Sequence, residues 1–145
     1  MVSTFAGWHT DYLIENDYFE PFIWAWIALG VVTFGYLFIQ PAPYGRHQTK
    51  SWGPEIPSWL CWMLMEAPSP LLIMFFVYLG QPPVTAVGTW VLVAIWLIHY
   101  THRTIIQPLT NPGGQKPMPV LICGSAIFFN LVNGYVNGRG LCLNA

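Results

Sequence analysis

Four apolar runs separated by short polar segments rich in proline and glycine dominate the chain and leave few folds open to it. They extend from about Pro21 to Ile39, Ile56 to Leu79, Val84 to Ile106 and Pro117 to Val136. A helix needs roughly 20 apolar residues to cross roughly 30 Å of hydrocarbon, and each run meets that length. Only 8% of the residues are charged, against about 25% in a soluble domain. The aromatic content of 17%, with 8 Trp, suits a chain whose rings collect at the two membrane interfaces. The expected fold is therefore an all-α membrane protein of about four transmembrane helices. An acidic N-terminal segment (1–20) precedes a transmembrane domain (21–145).

Charge placement orients the expected spans. Asp11, Glu15, Asp17 and Glu20 crowd the start, whereas Arg46, Lys50, Arg103, Lys116 and Arg139 come later. Arg46 and Lys50 lie between the first two runs, and Arg103 and Lys116 flank the third connection. The positive-inside rule puts the first and third loops in the cytoplasm and the N-terminus in the lumen or outside, which leaves Arg139 on the lumenal side. No basic N-terminal region marks a cleaved signal peptide. No basic patch marks nucleic-acid binding. Cys61, Cys123 and Cys142 form no CxxC pair or disulfide framework.

Glu66 is the residue with the most chemical content. At roughly 1.5 Å per residue it lies roughly 15 Å along the second run. A carboxylate there costs roughly 2.5–3.5 kcal/mol or more, so it is expected to face a cavity or a partner. In its neutral form it could donate a hydrogen bond to a carbonyl oxygen, as the protonated Asp of ketosteroid isomerase does. A structural alternative is a Glu that only ties helices together. Trp62 shares its face one turn earlier. Pro68 and Pro70 would open the helix beside it, although an ordinary bend with a lipid-facing Trp fits the same pattern.

Trp96, His99, Tyr100 and Arg103 form one stripe on the third run at helical spacing. A phenol and a cation near one membrane face would suit a polar-ended apolar substrate and an anionic cofactor. Interfacial aromatics with a snorkelling Arg give the same spacing. His99, His102 and Glu66 could supply three metal ligands, but four His, with His9 on the opposite side, make a poor histidine box. Asn130 and Asn133 sit one turn apart in the last run. They are expected to hydrogen-bond between helices, or else to line the same cavity.

Several segments, in order, resemble the steroid 5α-reductase family: Ala42-Pro43-Tyr44-Gly45-Arg46, Trp52-Gly53-Pro54, Glu66-Ala67-Pro68-Ser69, His99-Tyr100-Thr101-His102-Arg103, Gly113-Gly114-Gln115-Lys116-Pro117-Met118-Pro119 and Asn133-Gly134. The resemblance covers about residues 25 to 140 and implies an endoplasmic-reticulum enzyme of steroid metabolism. Such an enzyme reduces the 4,5 double bond of a 3-oxo-Δ4 steroid with NADPH, sending hydride to C5. It implies that Glu66 and Tyr100 bind the 3-keto oxygen and stabilise the enolate, and that Trp62 forms a wall of the substrate site. Arg103, Lys116 and Asn133 would contact the cofactor. Family members that reduce polyprenols or enoyl thioesters leave the enone open. Met65 departs from the pattern, because close relatives carry a polar residue there. The family's chains are longer, so the expected chain is an N-terminal portion whose C-terminal half, or a homologous chain, would complete the cofactor site. The competing expectations are a non-catalytic homologue that binds sterol or a full-length partner, and a metal-dependent membrane oxidase.

Overall fold

The computed structural model describes residues 17–42, 47, 53–110 and 116–142. Most of the acidic N-terminal segment, His9, Arg46, Lys50, Trp52 and the Asn111–Gln115 turn lie outside the described residues. The chain divides into two compact units, Met1–Ala42 and Pro43–Ala145.

The first unit contributes one helix, α1 (Phe19–Ile39), with Glu20 in its first turn and no basic residue in its last. Its apolar residues surround the axis instead of forming one stripe. A helix that is apolar all round suits lipid better than a soluble core.

In the second unit, α2 (Ser58–Glu66) and α3 (Pro68–Gly80) form one 23-residue run. Ala67 joins them with helical angles. Pro68 and Pro70 have no N–H to offer the carbonyls of Leu64 and Glu66, so the hydrogen-bond ladder is interrupted beside the carboxylate. The run stops at Gln81, which is left-handed with φ 42°, and Pro82-Pro83 follow. Helix α4 (Val87–Thr101) comes next. A π-helical turn over His102–Ile106 carries it into α5 (Gln107–Thr110), and Gln107 N–H bonds His102 C=O across five residues. Such wide turns are rare and cluster at functional sites. The last helix is α6 (Val120–Cys142).

The expected fold class holds. Among the described residues, three helical runs are long and apolar enough to cross a membrane: Phe19–Ile39, Ser58–Gly80 and Val120–Cys142. The expected third crossing is segmented, with only 15 α-helical residues before the π-turn. The fourth begins later than Pro117 because Met118–Pro119 (β2) pairs antiparallel with Glu55–Ile56 (β1). Val120 N–H then bonds Pro54 C=O at 2.9 Å, which fixes where the helix starts.

Helices α3 and α6 pack through glycine. A Cβ on Gly134 would stand 2.9 Å from Leu72 Cβ and 3.0 Å from both Ser69 Cα and Ser69 O. One on Gly138 would stand 2.6 Å from the Phe76 ring. Small residues four apart let helix backbones approach where lipid supplies no hydrophobic drive. Around α2 the core differs in kind. Its buried members, Cys61, Met65, Met118 and Cys123, all carry sulfur, and the Cys61 thiol lies 3.1 Å from Met118 Sδ.

Candidate active site

A cavity of about 490 Å³ opens between α2, α4, the π-turn, β2 and α6. Trp62, Glu66, Tyr100 and Arg103 all line it, with Asn130 on the α6 side. A volume between about 300 and 1,000 Å³ with apolar walls and a few polar groups fits a small ligand.

Each polar group is placed by local geometry. Glu66 ends α2 just before the proline break and is 6% exposed. It does not stand alone. Arg103, from the π-turn, donates to Glu66 Oε1 from Nη2 at 2.6 Å and from Nε at 3.2 Å. Its third polar contact runs from Nη1 to Gln107 Oε1 at 3.2 Å. The guanidinium also lies over the Trp62 ring, 4.5 Å from its centroid, where a cation gains from the ring's negative face. Charge-assisted bonds of this length are the strong class. The sequence expectation of a cavity or a partner for Glu66 is met by both at once.

Tyr100 is buried on α4, one turn before Arg103. Its hydroxyl donates to Asn130 Oδ1 at 3.1 Å and accepts from Asn133 Nδ2 at 2.8 Å. Asn130 Nδ2 in turn donates to Met65 C=O at 2.7 Å. Trp96 and His99 pack on the Tyr100 ring at centroid distances of 5.2 and 5.1 Å. These contacts hold the phenol in one orientation.

Of the residues that stand out in the sequence, the structure brings Glu66, Tyr100, Trp62 and Arg103 into one cavity. Asn133 reaches the group only through the Tyr100 hydroxyl, and itself lines a second cavity of about 520 Å³ with Leu92, Ile95, Trp96 and Asn137. Tyr100 and His99 border both cavities. Lys116 is exposed at the approach to β2 and lines neither. Among the described residues no three His, Cys, Asp or Glu side chains converge as metal ligands. Asn130 combines the two roles that its sequence position suggests, since it bonds across helices to Tyr100 and the α2 backbone and also lines the cavity. The Gly134-x-x-x-Gly138 spacing is the sequence signal for the close α3–α6 seam that sets its height.

No family model matches the chain. Individual curated proteins do. Steroid 5-alpha-reductase DET2 of Arabidopsis thaliana is 33% identical over 132 residues, which are 88% of this chain and 50% of that protein. 3-Oxo-5-alpha-steroid 4-dehydrogenase 1 of Homo sapiens is 35% identical over 116 residues (79% and 44%). Its Macaca fascicularis counterpart is 38% identical over 100 residues (68% and 37%). The chain spans about half the length of the curated relatives it matches. Across that shared half, this chain is similar in sequence to proteins named as steroid 5-alpha-reductases and 3-oxo-5-alpha-steroid 4-dehydrogenases.

Proposed function

We propose that the chain carries the substrate end of an NADPH-dependent enone reductase acting on the 4,5 double bond of a 3-oxo-Δ4 steroid. The observation that carries this reading is the convergence of Glu66 and Tyr100 on one apolar cavity walled by Trp62. The relatives named as steroid 5-alpha-reductases supply the substrate class. In this reading the chain sits in an endoplasmic-reticulum membrane, with the first and third loops cytoplasmic by their Lys and Arg and the substrate arriving from lipid.

In this reading the steroid lies along Trp62 with its 3-keto oxygen toward Tyr100 and Glu66. NADPH, when bound, supplies the hydride that goes to C5. Negative charge then gathers on the 3-keto oxygen, and hydrogen bonds from the Tyr100 hydroxyl and from Glu66, once it has parted from Arg103 and taken a proton from water, stabilise it more than they stabilise the neutral ketone. A proton taken from water at C4 completes the reduction. Arg103 has the charge to hold a phosphate, and its side chain is 33% exposed, so an anion can reach it. Drawing Arg103 to an anion would release Glu66 toward the ketone. Lys116 and Asn133, the other proposed cofactor contacts, do not line this cavity, and Asn133 touches its polar end through the Tyr100 hydroxyl. Contacts from a C-terminal half or a second homologous chain would supply the rest of the cofactor site.

The test is reduction of a 3-oxo-Δ4 steroid with NADPH by membranes bearing this chain together with the C-terminal half of a homologous reductase, against membranes bearing that half alone. Product above control is expected, with Glu66→Gln lowering turnover by about tenfold or more, since the amide keeps the size but is a weaker donor. Turnover by Glu66→Gln equal to wild type would remove Glu66 from the mechanism. Saturable steroid binding without product would instead support the second reading, a non-catalytic homologue that binds sterol or a partner chain.

A further inference from the structure

We infer that Asn130 is a positioning residue that sets both the direction of the Tyr100 proton and the spacing between Tyr100 and Glu66. This deepens the ketone-binding assignment above and rests on it.

The direction follows from donor and acceptor chemistry alone. A backbone carbonyl only accepts, so the Asn130 atom 2.7 Å from Met65 C=O is the amide nitrogen. Its oxygen therefore faces Tyr100 and can only accept, so the phenol donates to it. On the other side, Asn137 Nδ2 donates to Asn133 Oδ1 at 3.0 Å, which turns the Asn133 nitrogen toward Tyr100. Every bond in the chain Asn137, Asn133, Tyr100, Asn130, Met65 thus points the same way. Bonds aligned in this manner polarise one another. The chain ends on the residue that precedes Glu66.

Two consequences bear on chemistry. First, Asn130 is 5% exposed and fastens α4 to the last turn of α2 through one rigid amide, so it fixes how far the phenol stands from the carboxyl group. Second, the Tyr100 proton is already committed. To reach a ketone it must leave Asn130, exchanging one neutral hydrogen bond for another with little net gain. An enolate oxygen offers a charge-assisted bond about twice as strong. Asn130 therefore cancels ground-state binding by Tyr100 and leaves its preference for the charged state, which is the part that lowers a barrier.

The test places 3-fluorotyrosine at position 100 of the 145-residue chain in lipid nanodiscs. Its fluorine resonance is recorded with and without a 3-oxo-Δ4 steroid, and steroid affinity is measured at equilibrium. Asn130→Leu should move the resonance of the free protein and bind the steroid up to about fivefold more tightly. Where turnover is measurable, it should lower kcat without raising KM. Asn130→Ser, which keeps a hydroxyl acceptor, should restore part of the resonance position, and Ser125→Ala should leave it in place. A purely structural role would weaken binding together with stability. An unchanged Tyr100 resonance in Asn130→Leu, or steroid affinity that falls in step with unfolding, would overturn the inference. A wild-type resonance indifferent to steroid would instead count against the ketone assignment, while the comparison of free proteins would still decide whether Asn130 orients Tyr100.

Discussion

Replacing Gly134 with Ala tests the packing that holds the site together. The added methyl carbon would lie 2.9 Å from Leu72 Cβ and 3.0 Å from two backbone atoms of Ser69. Ordinary carbon contacts start near 3.4 Å, so the seam must open by about half an ångström. Backbone cannot swing aside as a side-chain tip can, and overpacking of this kind costs about 1–3 kcal/mol. Ala also favours the helix over Gly by about 0.5–1 kcal/mol, which offsets part of that cost. The expected net change is a loss of about 1–2 kcal/mol. Gly124→Ala supplies the matched control, because a Cβ there meets nothing within 4 Å, and only the helix-propensity gain of about 0.5–1 kcal/mol should remain. Equilibrium unfolding in mixed detergent micelles, followed by circular dichroism, measures both. The two variants should move in opposite directions. A shift of the same sign and size in both would refute the account of α3–α6 packing and, with it, the register that places Asn130 and Asn133 beside Tyr100.

Three further outcomes follow from the site and the core. Tyr100→Phe leaves the buried Asn130 oxygen and an Asn133 N–H unpaired, so it should cost about 1–3 kcal/mol in the same unfolding assay; if Tyr100 donates to an enolate as proposed, steroid reduction should also fall by about 10²-fold, and wild-type kinetics would demote Tyr100 to packing. Arg103→Gln removes the cation from Glu66 and should destabilise the fold by about 1–2 kcal/mol, less than a fully buried pair would lose because the arginine is a third exposed; an unfolding midpoint equal to wild type would mean that the pair holds nothing together. Cys61 and Cys123, at 0% and 3% exposure, should resist maleimide in the folded chain and react on unfolding, and prompt labelling would show that the sulfur core opens.

Much of this architecture is legible in the chain because lipid leaves few choices. Unbroken apolar runs must be helices, and a glutamate inside one must find a cavity or a partner. Glu66 and Trp62 share a helical face in the sequence itself, and the resemblance adds Tyr100 to them. The identity of the partner is not legible. Arg103 is 37 positions from Glu66, and the π-turn that swings it inward leaves no clear mark in composition. Asn130 is ambiguous for a similar reason, since amide spacing says that a bond forms across helices but not to what. The start of α6 escapes the sequence because a two-residue ladder decides it, and so short a pairing has no periodicity to read. Its end lies beyond Val136 because Gly138 and Gly140, which look like helix breakers in sequence, stay helical, and Gly138 lies against Phe76 in the folded protein.

The sulfur-rich core bears on selectivity. Met65 and Met118 belong to that buried cluster and also border the site cavity. Methionine is unbranched and polarizable, and it rearranges at little cost. A wall made of such side chains is less a mould than a cushion. It can yield to an extra methyl or a longer tail on the ligand while Tyr100 and Glu66 stay fixed at the polar end. Discrimination would then fall on the oxygen-bearing end of a substrate, and tolerance on its hydrocarbon body.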